Sequence, residues 1–310
     1  MKSRDELIKA IHATLLRTGF AASDPKDLVH AGFDMVARKD STILVLKVIT
    51  NANSLGESML SGMKTLSNAL DACPMLIALK SGNDIIEDGV TYSRSGIPLI
   101  SYQTFLDLVE EGIVPMVYAA SGGFYVDIDS EVLKRAREGG LSLGDLADIA
   151  GVSRRSIRMY EDGMNAKLEV AMRLEEGLGV ELILPLDPLN YRPEKRERPA
   201  DNFDGIAREI FTNLNKIGYS VMPTARCPFD AVTTDDDVML FTGVDQKRAG
   251  LDKRARAIAN LSRILEKRSV IFVDRLGERV NIEGTPLVGC EELRKARDRR
   301  KVMDLIEERV

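Results

Sequence analysis

Residues 141–163 constrain the fold of this chain more tightly than any other stretch, because they spell two short helices joined by a tight turn. Ser142 stands where it can cap the first helix, and Asp145, three positions on, favours the positive end of that helix's dipole. Leu146, Ala147 and Ala150 form one apolar stripe, with Ala147 small enough to let a second helix approach closely. Gly151 supplies the positive φ that a sharp turn demands, and Val152 plugs the gap between the helices. Ser153 caps the second helix, Ile157 and Tyr160 face inward, and Arg154, Arg155 and Arg158 are left on the outer face.

A short helix with a basic outer face is suited to a DNA groove. With residues 132–138 before it and 168–174 after it, the segment resembles the Cro/C1-type helix-turn-helix domain over roughly sixty residues. The resemblance rests on features that occur together: the Leu-Ser opening, the Leu146-Ala147 pair, the Gly151-Val152-Ser153 turn, Ile157, and Glu161 two before Gly163. One departure is Leu143, where the family often carries a Gln that contacts phosphate or base. The resemblance implies a recognition helix over 153–161, with DNA contacts from Ser142, Ser153, Arg154, Arg155, Ser156, Arg158 and Met159. Arg154 and Arg155 lie at the end of that helix that reaches base edges, where an Arg can hold guanine O6 and N7; the alternative is a solvated, phosphate-contacting face. Arg158 suits either, and Met159 touches a thymine methyl or packs inward. Glu161 looks like the family's acidic residue that pairs with a basic side chain of the domain's first helix, over 132–138, with Arg135 as the partner, while Leu168, Met172 and Leu178 have helical core spacing.

At 310 residues, 44% hydrophobic and 29% charged, the chain has the composition of a soluble globular protein of two or three domains. No apolar run reaches a membrane span and the start lacks a signal-peptide core, so a cytoplasmic protein is expected. Cys73, Cys227 and Cys290 offer neither a CxxC spacing nor an even disulfide set, and His12 and His30 have no Cys partner nearby. Neither a metal nor any other cofactor is expected. A net charge of −5 argues against coating nucleic acid indiscriminately, so DNA binding must come from a local patch. The triple arginine is that patch, joined in the following segment by Arg192, Lys195, Arg196 and Arg198.

The two ends of the chain look duplicated. Phe33-Asp34 leads into the apolar run 43–46, and Phe229-Asp230 leads into 238–241; each reads as a β-hairpin. Upstream, residues 15–20 match 214–219 at the close of an amphipathic helix. Downstream, residues 66–70 match 261–265, apolar strands 75–78 and 270–273 follow, and 96–100 then match 284–288. Five blocks in the same order point to a repeat of helix, hairpin, helix, strand, strand, helix. The expected organisation is an α/β domain over 1–123, an all-α helix-turn-helix domain over 124–186, a linker rich in proline and charge over 187–201, and a second α/β domain over 202–310.

That element order resembles the restriction-endonuclease-like fold, in which an Asp and a D/E-x-K element on adjacent strands hold a magnesium ion beside the scissile phosphate. The first copy supplies Asp34 and Lys47, yet Val45 stands two before Lys47; the second has Asp230, but Phe241-Thr242-Gly243 lacks both acid and Lys. Cleavage would need a relocated acid such as Glu57 or Glu6, so both aspartates read as strand-start residues bonded to neighbouring backbone amides, and no catalytic residue is assigned.

The whole layout, including residues 122–129 running straight into the helix-turn-helix, resembles the archaeal family of HTH-type (Cro/C1-type) transcriptional regulators. Two tandem α/β copies that keep the sheet and lose the metal site can pair, so a homodimer whose degenerate nuclease-like domains set the spacing of two DNA readers is expected, bound to double-stranded DNA without a cofactor. The resemblance implies DNA binding and regulation of transcription. It brings no known operator or effector ligand. The alternatives are a metal-dependent nuclease delivered to DNA by the helix-turn-helix, and a protein-interaction scaffold.

Overall fold

A computed structural model describes residues 3–29, 31–194, 203–236, 238–245 and 250–310. His30 and the linker residues Lys195, Arg196 and Arg198 lie outside the described residues. The first α/β region contains α1 (Arg4–Arg17), β1 (Ala21–Ala22), β2 (Met35–Lys39), β3 (Thr42–Asn51), α2 (Glu57–Leu70), β4 (Cys73–Ser81), β5 (Asp84–Ile85), β6 (Val90–Arg94), β7 (Ile97–Ile100) and α3 (Tyr102–Leu106). The hairpin β8 (Val117–Ala120) and β9 (Gly123–Ile128) follows, then α4 (Ser130–Glu138), α5 (Leu143–Ala150), α6 (Arg154–Glu161), β10 (Ala166–Lys167), α7 (Leu168–Leu178) and β11 (Ile183–Leu184). The last region contains α8 (Gly205–Lys216), β12 (Ser220–Pro223), β13 (Ala231–Thr234), β14 (Met239–Asp245), α9 (Leu251–Leu265), β15 (Arg268–Val273), β16 (Asn281–Ile282), β17 (Thr285–Gly289), α10 (Cys290–Lys295) and α11 (Arg299–Glu307).

The chain divides into two compact units: Met1–Val48 with Ser54–Pro74 and Arg192–Val310, and Ile49–Asn53 with Met75–Tyr191. In the first unit, β1, β2 and β3 form an antiparallel meander with Val36 opposite Val45. The two-residue turn between β2 and β3 places Asp40 at φ 52, a conformation Asp tolerates. Strands β12, β13 and β14 repeat this meander, with Val232 opposite Phe241. Beyond it β14 runs parallel to β15, β15 parallel to β17, and β16 closes antiparallel on β17. One core binds this last region, with Phe211, Leu214, Val270, Phe272, Val288 and Val302 all buried between the sheet and helices α8, α10 and α11.

The two meanders dock on each other within the first unit. Helix α9 packs on β2 and on the 3-10 turn Pro25–Leu28. The Gly32 amide donates to the Arg226 carbonyl at 2.7 Å, and Arg38 pairs with Glu266 at 2.7 Å. From the other side, α2 presents Gly62 to the loop after β12, so closely that a Cβ there would lie 2.9 Å from the Ala225 carbonyl oxygen.

In the second unit β4 runs parallel to β7, β6 antiparallel to β7 and parallel to β8, and β8 antiparallel to β9. The pairings of β4 and β6 with β7 repeat the parallel and antiparallel senses of β15 and β16 with β17. Gly122, in the turn of the β8–β9 hairpin, has φ 97. The helix-turn-helix segment is not purely helical: β9 pairs on one part with β10 and on another with β11, threading short strands between α4, α6 and α7. Dipeptide strands such as Ala166–Lys167 are too short to show an alternating pattern, which is why the sequence reads as all-α there. Val126, Ile128, Leu133, Leu146, Ile157 and Leu174 fill the shared core.

Residues 187–194, the described part of the expected linker, make specific contacts. Pro188–Asn190 form a 3-10 turn capped by Asp187, Arg192 pairs with Asp71 at 3.1 Å, and the Asn68 side chain donates to the Glu194 carbonyl. Arg192 therefore already has a carboxylate partner, which removes it from the expected basic patch.

No helix among the described residues is long and apolar enough to cross a membrane. Cys73, Cys227 and Cys290 form no disulfide among the described residues; Cys73 and Cys290 are buried, and desolvation pushes the Cys227 thiol up to about 12.

Candidate nucleic-acid interface

Helix α5 begins where its cap dictates. The Ser142 hydroxyl accepts from the amides of Gly144 and Asp145, both at 3.2 Å, and the Asp145 carboxylate accepts from the Ser142 amide at 2.7 Å. Those bonds from Ser142, backbone first, hold the Asp145 carboxyl below its ordinary value, and the nearby Arg154 charge adds to the shift. The helix ends at Gly151 with φ +67, where a Cβ would also press against the Arg173 guanidinium of α7.

Helix α6 starts at Ser153, whose hydroxyl accepts from the Ser156 amide at 3.1 Å and lies 2.9 Å from the Ser156 hydroxyl. Ile157 and Tyr160 are buried against Leu146, Ala147 and Ala150 of α5. At 3.6 residues per turn this burial turns Arg154, Arg155, Arg158 and Met159 to the opposite side, and all four are exposed. Met159, 41% exposed, belongs to this outer face and does not pack inward. Arg155 and Arg158 form no ion pair among the described residues. Arg154 differs. Its guanidinium folds back over the start of α5, within 3.0 Å of where a Cβ on Gly144 would sit.

Two expected structural contacts are corrected. Glu161 pairs with Arg137 rather than Arg135, at 2.5 Å from Nε to Oε1. Arg137 stands four residues after the buried Leu133 and so shares its inward face, whereas Arg135 points away and bonds its own helix at the Glu131 carbonyl. The hydrogen bond that Arg137 donates to Glu161 is the main cause that raises the Arg137 pKa. Met172 is 55% exposed, because the buried stripe of α7 runs through Val170, Ala171 and Leu174, leaving Leu168 and Leu178 half-buried at its edges. A further link not read from sequence, Ser130 Oγ to the Tyr160 carbonyl at 2.8 Å, joins α4 to the end of α6.

The Asp at the head of each meander has a different environment from the one a metal needs. Asp34 Oδ2 accepts from the Val48 amide at 2.8 Å, and its Oδ1 receives Arg4 Nη2 at 2.5 Å and Lys47 Nζ at 3.1 Å. Arg4 also donates to the Val48 carbonyl at 3.0 Å. Asp230 Oδ2 accepts from the Val244 amide at 2.7 Å and from Arg254 Nη2 at 2.5 Å, and Arg254 donates again to the Val244 carbonyl at 2.7 Å. The backbone-amide partner expected for both aspartates is present, on the facing strand; the arginine clamps were not expected, because Arg4 lies on α1 and Arg254 on α9. A divalent cation needs several oxygen ligands at short range. Here Val45 is fully buried at the position of the second acid, Glu6 is engaged in capping Ser3, and the one carboxylate is already surrounded by cations. These residues do not fit a metal.

Comparison with known proteins agrees with both parts of this arrangement. A family profile described as a PD-(D/E)XK superfamily domain matches residues 4–115, and one described as helix-turn-helix matches residues 133–184. A protein of Methanosarcina acetivorans is 35% identical over 99% of this chain and 98% of its own length, and carries the name "Putative HTH-type transcriptional regulatory protein". Proteins of the same designation from Haloquadratum walsbyi, 37% identical over 99% of this chain and 98% of theirs, and from Archaeoglobus fulgidus, 36% identical over 98% and 97%, are similar along the same length. No solved structure matches. With a helix-turn-helix at 133–184, a PD-(D/E)XK superfamily domain at 4–115 and relatives matched end to end, the chain belongs to the archaeal family of HTH-type transcriptional regulatory proteins.

Proposed function

We propose that this chain is a sequence-specific, double-stranded DNA-binding transcriptional regulator whose helix α6 enters the major groove. The observation that carries this reading is the outer face of α6, where Arg155 and Arg158 stand exposed, without a carboxylate partner among the described residues, beside Arg154 and Met159. Arg154 and Arg155 read base edges, Arg158 and the N-terminal turns capped by Ser142 and Ser153 hold phosphates, and Ser156 and Met159 complete the contact surface.

One two-turn helix reaches only about four base pairs, too few to specify a site in a genome. A homodimer on a pseudo-palindromic site with half-sites about one turn apart supplies the missing sequence information. The α/β regions hold the reader and its partner in register without cleaving DNA, because Asp34 is paired with Arg4 and Lys47 and Asp230 with Arg254, and neither has the second acid a metal would need. The domain limits 1–123, 124–186 and 202–310 suit this division, and a duplication of the α/β region accounts for the repeated strand order.

The test is selection of genomic fragments by the purified protein and by an Arg154→Ala/Arg155→Ala double variant, followed by sequencing. A motif enriched by the wild type and lost by the variant supports a sequence reader. No enrichment by either moves the function to a protein-binding scaffold.

A further inference from the structure

We infer that a cavity in the second unit is a binding site for a small organic cation with an aromatic or aliphatic body. The cavity has a volume of about 530 Å³, within the range of small-molecule sites. Tyr92, Tyr118, Tyr191 and Pro98 give it apolar and aromatic walls, and Asp127 and Asp187 add two carboxylates, while no Lys, Arg or His is among its lining residues. An anion would meet only like charge there, whereas a cation gains from both the carboxylates and the faces of the rings.

Two further observations point to a ligand. Asp127 has no ion pair or side-chain hydrogen bond among the described residues, although its neighbours Val126 and Ile128 are buried and fix it on β9; Asp187, by contrast, is engaged with the Leu189 amide and the Asn190 side chain. Thr91 lines the same cavity, is only 8% exposed, and its hydroxyl has no hydrogen-bond partner among the described residues. Buried hydroxyls are nearly always satisfied, and a bound polar group would satisfy this one.

The site touches the segments that hold the reader. Asp127 lies two residues before Asp129, the cap of α4, and Asn165, which follows α6, donates to the Tyr118 hydroxyl at 2.6 Å in the cavity wall. A cation seated there therefore biases the posture of α4 and α6, and this regulatory consequence rests on the DNA-binding reading above.

The experiment is isothermal titration of the full-length protein with phenethylamine, protonated at neutral pH, against phenylacetate, its anionic counterpart in shape. Saturable binding of the amine with a Kd below about 1 mM is expected, with no binding of phenylacetate. Asp127→Asn, checked for an unchanged melting curve, should weaken the amine at least tenfold, and Thr91→Val should weaken it several-fold. No heat from the amine, equal binding by Asp127→Asn, or equal binding of phenylacetate would overturn the site. Fluorescence anisotropy on a selected DNA fragment reads the second half: amine binding that leaves DNA affinity unchanged overturns the regulatory role, and amine binding without any DNA binding overturns the DNA reading while the site stands.

Discussion

Arg4 places its Nη2 2.5 Å from Asp34 Oδ1, and on the same oxygen Lys47 Nζ lies at 3.1 Å, so the carboxylate heading β2 carries two cations. Asp34 and Lys47 are nearly buried, whereas Arg4 is 42% exposed in its side chain. The burden of the pairing thus falls on Lys47. Asp34→Asn leaves that ammonium buried without a counter-charge and should cost about 3 kcal/mol, whereas Arg4→Ala keeps the buried pair and should cost under about 1 kcal/mol. Urea unfolding midpoints give the ranking, and equal losses would show that the pair is not the buried element. The same clamp predicts that supercoiled DNA stays intact with magnesium or manganese.

Arg154 rests over Gly144, and this contact can be probed without touching either arginine's charge. A Cβ at Gly144 would stand 3.0 Å from Arg154 Nη2 and 3.2 Å from Nε, the movable end of a long side chain. Gly144→Ala should therefore leave the melting temperature unchanged or slightly raised, since Ala favours a helix over Gly by about 1 kcal/mol. Its DNA affinity should fall several-fold as the guanidinium is displaced, about as far as Arg154→Ala takes it. A variant with native affinity would show that Arg154 is not preset by α5. Arg155→Ala, which makes no such contact, should cost about 1–3 kcal/mol and relax preference at one base pair.

The docking of the two meanders makes a prediction whose sign runs against local propensity. Gly62 lies inside α2, where an alanine alone would stabilise the helix by about 1 kcal/mol. Yet its Cβ would sit 2.9 Å from the Ala225 carbonyl oxygen, and backbone on the facing loop has nowhere cheap to go. Gly62→Ala should lower stability by about 1–3 kcal/mol. A rise in the urea midpoint would mean that α2 and the loop after β12 do not meet.

Much of this was legible in the chain. The caps at Ser142 and Ser153, the turn at Gly151 and the buried pair Ile157 and Tyr160 follow from local rules, and local rules decide helices of eight residues. The contacts that escaped are long-range or turn on a small rotation. Arg4 meets Asp34 across thirty positions, and Arg254 performs the same task from a different helix, so no spacing could announce either. Arg137 and Arg135 differ by two residues, which on a helix is the difference between the face of Leu133 and the face of solvent. Met172 failed for the same reason: the apolar stripe of α7 is carried by Val170, Ala171 and Leu174, one step around the helix from the line through Leu168 and Met172.

Near the chain end, Glu292 gathers Arg309 Nη1 at 3.0 Å and Nη2 at 2.5 Å on its two oxygens, while Oε2 also accepts from the Gly289 amide at 2.9 Å. The Arg309 hydrogen bonds, opposed in part by burial and assisted by the Gly289 amide, hold the Glu292 carboxyl below its ordinary value of 4.5. A carboxyl depressed in the folded state binds its proton more readily once unfolded, so its contribution to stability is fully present above the ordinary value and is lost as pH falls through the folded one. Comparing wild type with Glu292→Gln isolates this group, since the other depressed acids, Asp145 and Glu209, titrate in both proteins. The stability gap between the two should be constant from neutrality down to about pH 5 and shrink steadily below it. A gap that stays constant through that acid range in urea midpoints would show that Arg309 does not clamp Glu292, and with it the anchoring of α10 to the last turn of the chain would fall.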